Sequence, residues 1–361
     1  MNKKNIASLL VGAVFSAIGF YLAFRNVPMS SLWQYATQVN YGWMVPAAGA
    51  LAIAFLIRSI RWQWLLLPTG HIKFSSAYHS LIISMMLNCL LPGRIGELAR
   101  PMVLKKQETI PYATSLATLG VERLLDLLAL LILLLPTLMT LAPDAGTVVN
   151  FGDHQLSRAF LVDLVNMSLF TVIILMLVVY CISHDGLRKQ LLAFVSRLPE
   201  FFQCIKLGKL SRTLQRAMPH FLQFIENSAQ GVKYICNVKG FSIAVLTSLV
   251  FWSFNALSFY FLSIGSPGIA LPFISICGVM VVICFFIALP SVPGYWGLWE
   301  AAGVFALSFF GVADDVAAGF SLFSHAFNLI PVIAAGWLSC MALGFRWTGL
   351  TKKTPSDPIR G

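Results

Sequence analysis

Pro92-Gly93-Arg94-Ile95-Gly96-Glu97-Leu98-Ala99-Arg100-Pro101 closes an apolar run, 81–91, that is too short to cross a bilayer. A spanning helix takes about 20 apolar residues. Further along, the apolar run 273–289 stops at Pro290-Ser291-Val292-Pro293-Gly294 and resumes as Tyr295-Trp296-Gly297-Leu298-Trp299-Glu300. Both stretches read Pro-Gly-x-x-Gly, and a glutamate follows each. Proline and glycine interrupt helices. Each stretch is therefore expected to turn inside the membrane and return as a re-entrant hairpin, with Pro92, Gly93, Gly96, Pro293, Gly294 and Gly297 shaping the backbone. The alternative is that they only kink complete helices.

Composition sets the environment. Of 361 residues, 58% are hydrophobic and 11% are charged, with a mean hydropathy of +0.80. A soluble domain carries about 25% charged residues, so the membrane is the solvent here. The fold class is an all-α integral membrane protein: about six full spans plus two re-entrant hairpins, or about eight spans. The chain reads as a single membrane domain, 1–361. A first half, 1–182, holds the re-entrant segment 81–104, and a second half, 241–345, holds the segment 273–312. Between them, 184–240 is a basic amphipathic stretch that suits the cytosolic membrane surface. A cytosolic tail, 346–361, follows. The run 6–24 is longer than a signal-peptide core, so it is expected to remain as the first span.

The net charge of +11 is read as topology, with no nucleic acid as partner. Lys and Arg are retained on the cytosolic side. With both termini cytosolic and both hairpins re-entrant, most of the 25 basic residues fall inside. Arg58 and Arg61 are counted there, at the end of a second span, 43–57. The two hairpins then enter from opposite faces, as in an inverted repeat with a binding site where broken helices meet. The location implied is a bacterial-type cytoplasmic (inner) membrane.

The seven cysteines form no CxxC pair and the six histidines show no paired spacing, so no metal and no cofactor are expected. No catalytic constellation stands out. The charges at membrane depth do. Arg94, Glu97, Arg100, Glu122, Arg123 and Asp126 fall in a short stretch. Each such charge costs about 2.5–3.5 kcal/mol on insertion scales, so it usually faces a cavity or a bundle interior. Glu122 and Asp126 share a helix face. Paired guanidinium groups beside glycine-broken helix ends suit an anionic head group. A set of internal ion pairs locking the hairpin is the competing reading.

The motifs Pro-Gly-Arg-Ile-Gly-Glu-Leu-Ala-Arg-Pro at 92–101, Glu-Arg-Leu-Leu-Asp at 122–126 and Pro-Gly-Tyr-Trp-Gly-Leu-Trp-Glu-Ala-Ala at 293–302 resemble the lysylphosphatidylglycerol synthase transmembrane-region family. The resemblance implies a multi-span fold with re-entrant segments and a lipid translocase role. It implies head-group contacts by Arg94, Glu97, Arg100, Glu122, Arg123 and Asp126, with Glu300 in a matching half-site. The cargo would be a membrane phospholipid or a polyprenyl-linked lipid. Two departures stand out: Tyr295 and Trp296 replace the small residues usual there, and no soluble aminoacyl-transferase domain is present, so synthesis of lysylphosphatidylglycerol is not expected. An enzyme acting on a lipid-linked intermediate and a structural partner of a membrane synthase or glycosyltransferase remain as alternatives.

The topology has a direct check. Single cysteines introduced at 184–240 should resist a membrane-impermeant maleimide applied to intact cells, and those at 143–158 should react. Strong labelling within 184–240 would sink the scheme.

Overall fold

The computed structural model describes residues 3–140, 148–151, 154–157, 184–196, 237–289 and 291–344, with scattered positions within 163–181 and 218–235. The expected span 160–182, much of the 143–158 loop, most of the basic segment 184–240 and the tail 346–361 lie outside the described residues.

The first half runs α1 (Lys3–Phe24), α2 (Met29–Gln38), α3 (Met44–Leu66), α4 (Phe74–Leu90), α5 (Ile95–Gln107) and α6 (Tyr112–Thr140). A short antiparallel hairpin follows, β1 (Val148–Phe151) with β2 (His154–Ser157), then α7 (Asp185–Ser196). The second half holds α8 (Val238–Ile264), α9 (Phe273–Phe286), α10 (Leu298–Ser308) and α11 (Asp314–Ala342). Apart from that hairpin, the regular structure among the described residues is helical. Three helical stretches in the described residues are long and apolar enough to cross a membrane: Tyr41–Thr69, Val238–Ile264 and Asp314–Ala342.

Two boundaries differ from the sequence expectation. The second span was expected to stop at Ile57, leaving Arg58 and Arg61 at the cytosolic rim. Helix α3 instead continues to Leu66 and buries both. Its buried residues are Ala47, Ala50, Leu51, Ala54, Arg58, Ser59, Arg61, Trp62, Leu65 and Leu66, most of them spaced as one helix face. The arginines extend that stripe because carboxylates on α6 meet them. Helix α4 likewise begins at Phe74 rather than near Leu81. Ser76, Ser80 and Ser84 recur every fourth residue on its buried side, and small residues let neighbouring helices approach.

Both Pro-Gly stretches are breaks between helices that pack on each other, α4 on α5 and α9 on α10. Leu91 is extended, as a residue before proline prefers. A single 3₁₀ turn, Pro92–Arg94, then feeds α5. The second break repeats this with Pro293–Tyr295 before α10. Among the described residues, two non-glycine residues have positive φ: Arg94 at 55° and Tyr295 at 63°. They occupy the same place in the two motifs, directly after Pro-Gly. The left-handed region costs a non-glycine residue roughly 1–2 kcal/mol, so the turn is held by its surroundings at both sites.

The last glycine of each motif has a packing reason. A Cβ on Gly96 would overlap the Ser84 carbonyl oxygen and the Asn88 amide of α4. A Cβ on Gly297, whose φ is 85°, would overlap the backbone of Ser16 in α1. The two turns also meet. The Arg94 guanidinium lies 5.8 Å from the Tyr295 ring centroid and donates to the Ile287 carbonyl at 2.9 Å. The halves are joined further by α3 packing along α8 and α4 along α11.

Glycine substitutions should separate these roles. Gly96→Ala should lower the melting temperature in detergent by several degrees, because backbone atoms of α4 must move. Gly49→Ala, with no atom near its Cβ, should be neutral or stabilising by up to about 1 kcal/mol.

Candidate functional site

Glu122, on the buried face of α6, is fully buried. Its carboxylate accepts from Arg58 Nε at 2.8 Å and from Arg100 Nη1 at 2.9 Å. Arg61 Nη2 stands 3.2 Å away. Asp126, one turn on, accepts from Arg61 Nη1 at 2.7 Å and from the Trp252 indole of α8 at 3.2 Å. Arg61 also donates to Ser248 of α8. Helices α3, α5, α6 and α8 thus converge on two carboxylates.

The flat faces of the guanidinium groups are covered as well. Arg100 lies 3.8 Å from the Trp62 ring centroid. Arg58 and Arg61 lie 5.2 Å and 5.6 Å from that of Phe251. A desolvated cation over an aromatic face gains about 2 kcal/mol. Trp62 is itself fixed by its indole donating to Thr118 at 3.1 Å. A lysine would lose both the stacking and the forked contacts.

An outer layer is half-exposed. Arg123 pairs with Asp126 and Glu122, each at 3.5 Å, and reaches Glu97 at 3.9 Å. Arg94 reaches Glu97 at 3.9 Å. Inner and outer layers together bring five guanidinium groups against three carboxylates, an excess of two positive charges. Buried nitrogens on Arg94, Arg100 and Arg123 have no hydrogen-bond partner.

The cluster opens on a cavity of about 310 Å³. Its polar end is formed by Arg58, Arg94, Glu97, Arg100, Arg123 and Asp126, and its walls by residues such as Leu51, Phe55, Leu127, Leu130 and Phe259. That volume sits at the low end of small-molecule sites. It has room for a head group and not for a whole lipid.

The structure therefore brings together Arg94, Glu97, Arg100, Glu122, Arg123 and Asp126. Glu122 lies behind the cavity, fully enclosed by arginines. Glu300 is elsewhere. It is fully buried, does not line the cavity, and accepts from the Gly297 amide at 2.7 Å. Its other oxygen faces His325 Nδ1 at 2.6 Å. Both of its oxygens are occupied, so it supports the second turn and offers nothing to a ligand in this conformation. Sequence reasoning missed Arg58, Arg61 and His325. The arginines were assigned to the cytosolic rim, although the four-residue spacing from Ala54 to Arg58 places them on the stripe that begins with Ala47. His325 carries no local motif that would flag it. Among the described residues no group of side chains could hold a metal ion.

These features define a multi-pass α-helical membrane protein with a buried arginine–carboxylate cluster opening on a cavity. The chain belongs to the family described as lysylphosphatidylglycerol synthase TM region, which matches residues 6–336. It is similar to the UPF0104 membrane protein of Methanocaldococcus jannaschii, 22% identical over 95% of this chain and 97% of that one. It is also similar to glycosyltransferase AglD of Haloferax volcanii, 24% identical over 94% of this chain, which spans about half of that relative (55%). No solved structure matches the chain.

The cluster should dominate stability. Glu122→Ala leaves Arg58, Arg61 and Arg100 without their shared counter-ion. Removing one side of a buried pair costs on the order of 3–5 kcal/mol, so the variant should melt well below wild type in detergent. Arg123→Ala should cost distinctly less, since that side chain is 37% exposed. Equal losses from the two would contradict this layering.

Proposed function

We propose that this protein moves lipids with anionic head groups between the leaflets. The observation that carries the reading is the excess of two guanidinium charges at the polar end of an apolar-walled cavity. A purely structural network could pair its charges one to one. Here Arg94 and Arg123 line the cavity with about a third of each side chain exposed. An anion, such as a phosphate ester, supplies the missing charge and accepts from those guanidinium groups. Glu97, Glu122 and Asp126 hold the arginines in place and can meet an amine on the cargo.

Arg94 and Arg123 are the groups that contact the head group first, being the half-exposed pair. Arg100 lies deeper, pressed on Trp62. The two Pro-Gly hairpins are read as re-entrant segments whose tips meet at the cavity. Their Arg94–Tyr295 contact supports this, and so does the left-handed turn shared by both motifs. Both termini are read as cytosolic in a bacterial-type inner membrane. The sequence shows no ATP-binding motif, so movement would run downhill, be coupled to an ion or be pulled by a later reaction.

The relative named glycosyltransferase AglD supports a second reading, in which the cargo is a polyprenyl-linked lipid used by a membrane glycosyltransferase. Chemistry separates carrier from enzyme. Purified protein incubated with its lipid should leave the lipid's mass unchanged.

The test is movement of fluorescent phosphatidylglycerol in vesicles reconstituted with the full chain. Arg94→Ala should melt close to wild type and slow movement by about tenfold or more, the loss expected for a charge-assisted hydrogen bond. Arg94→Lys should recover little, because an ammonium does not reproduce the forked contact. Fluorescent phosphatidylcholine should be moved poorly by every version. A wild-type rate in Arg94→Ala removes this residue from the site. Equal movement of both lipids removes the anionic head group from the reading.

A further inference from the structure

The second half holds a buried site that the head-group reading does not use. His325 of α11 is buried against the second Pro-Gly turn. Its Nδ1 stands 2.6 Å from Glu300 Oε1, and its Nε2 stands 2.7 Å from the Gly294 carbonyl oxygen. Trp299 stacks on the ring at 4.8 Å with a 10° tilt, and Trp296 lies 4.5 Å away. Glu300 Oε2 accepts from the Gly297 amide at 2.7 Å.

Both ring nitrogens thus face acceptors. A neutral imidazole has one N–H and one lone pair. Both contacts are satisfied only when the pair carries one more proton. That proton sits either on the ring, as imidazolium beside carboxylate, or on Glu300, as a carboxylic acid donating to Nδ1. Without it, the single N–H has two acceptors to serve. The charged carboxylate is the stronger acceptor and keeps it. The Gly294 carbonyl then faces a lone pair, and the turn loses its tie to α11.

We propose that Glu300 and His325 form a proton-binding site that latches the second Pro-Gly turn, and that release of the proton frees the turn and opens the cavity on that side. His325 and Tyr295 both line the cavity, so the latch and the arginine cluster share one space. Among the described residues the neighbouring titratable and charged groups include Tyr35 of α2, whose ring packs on α11 at Gly319. Helix α9 brings Cys284, α4 brings Cys89 with Tyr78 and His79 at its far end, and the turns bring Tyr295 and Arg94. Lys3 and Lys4 of α1 lie about three helical turns before Ser16, where α1 meets the second turn. Among these groups Glu300 is the hydrogen-bonded partner of the ring. The latch holds at low pH, where the proton is bound, and releases as pH rises.

Glu300→Gln provides a closed mimic. Its amide nitrogen can donate to a neutral His325 Nδ1, and its oxygen can accept from Gly297. All the hydrogen bonds remain and no proton can leave. Cys284 lines the cavity and is partly exposed, so its labelling by N-ethylmaleimide reports opening. Wild type and Glu300→Gln are compared in lipid nanodiscs at the same pH, which cancels the thiol's own ionisation. They should label alike near about pH 5, and wild type should label at least about threefold faster near about pH 8, across the interval where histidine-based switches act. Parallel labelling throughout overturns the proposal. A second measurement needs no variant. Hydrogen-exchange protection of the amides of 294–297 in wild type should fall by about tenfold over the same interval, after correction for intrinsic exchange. Unchanged protection overturns the latch by itself. Neither readout involves lipid movement, so the latch stands or falls separately from the translocase reading.

Discussion

Glu122 is the constraint on which the first half depends. Three buried arginines from two other helices end on one carboxylate, and a fourth from its own helix leans on it from the half-exposed side. Taking a charge out of water costs several kcal/mol even after relaxation. Close geometry has to return that energy, which fixes α3, α5 and α6 relative to one another. Trp62 and Phe251 contribute because a guanidinium face is weakly hydrated and stacks well. The cluster is therefore tightly held where it is buried and most exposed where Arg94, Glu97 and Arg123 reach the cavity.

The two Pro-Gly motifs share a backbone and differ in chemistry. Each turn places its third residue in the left-handed region, and each ends on a glycine pressed against another helix. The first is surrounded by guanidinium groups and carries net charge. The second is held by a Glu–His pair that is neutral as a unit when its extra proton is bound. The two turns keep one shape because each is set by Pro, Gly and close packing. Different polar groups tie each turn to its neighbours: Arg94 to the Ile287 carbonyl in the first, Glu300 and His325 to Gly297 and Gly294 in the second.

Much of this was legible beforehand. Hydropathy identified the membrane class, and the paired Pro-Gly breaks identified both interrupted segments. The spacing of Glu122 and Asp126 placed them on one face. The family resemblance rested on those same residues. What escaped was long-range. Arg58 sits 64 residues from Glu122 and His325 sits 25 from Glu300, and no local pattern announces either meeting. Arg58 and Arg61 were misplaced for a physical reason. Positive charge after an apolar run usually marks the membrane boundary, and that rule fails where an opposite charge waits on a neighbouring helix. Glu300 was grouped with the ligand contacts because its motif mirrors Glu97. The mirror holds for the backbone, while Gly297 and His325 take up its oxygens.

The bulky residues of the second turn now have a cause. The family resemblance leads to an expectation of small residues after the second Pro-Gly, where this chain has Tyr295 and Trp296. The Tyr295 ring lies beside the Arg94 guanidinium, so it closes the gap between the two turns. Trp296 lies against His325 on one side and stacks with Phe20 of α1 on the other, at 6.3 Å. Small residues at these positions would leave Arg94 without an aromatic neighbour and His325 open to water. Both turns are tied through aromatic groups to charged or titratable ones, so displacing either turn changes the environment of the other. On the proposed readings, the Tyr295 contact is where head-group binding at Arg94 and proton binding at His325 would be linked, and by reciprocity any such coupling would shift both affinities by the same factor.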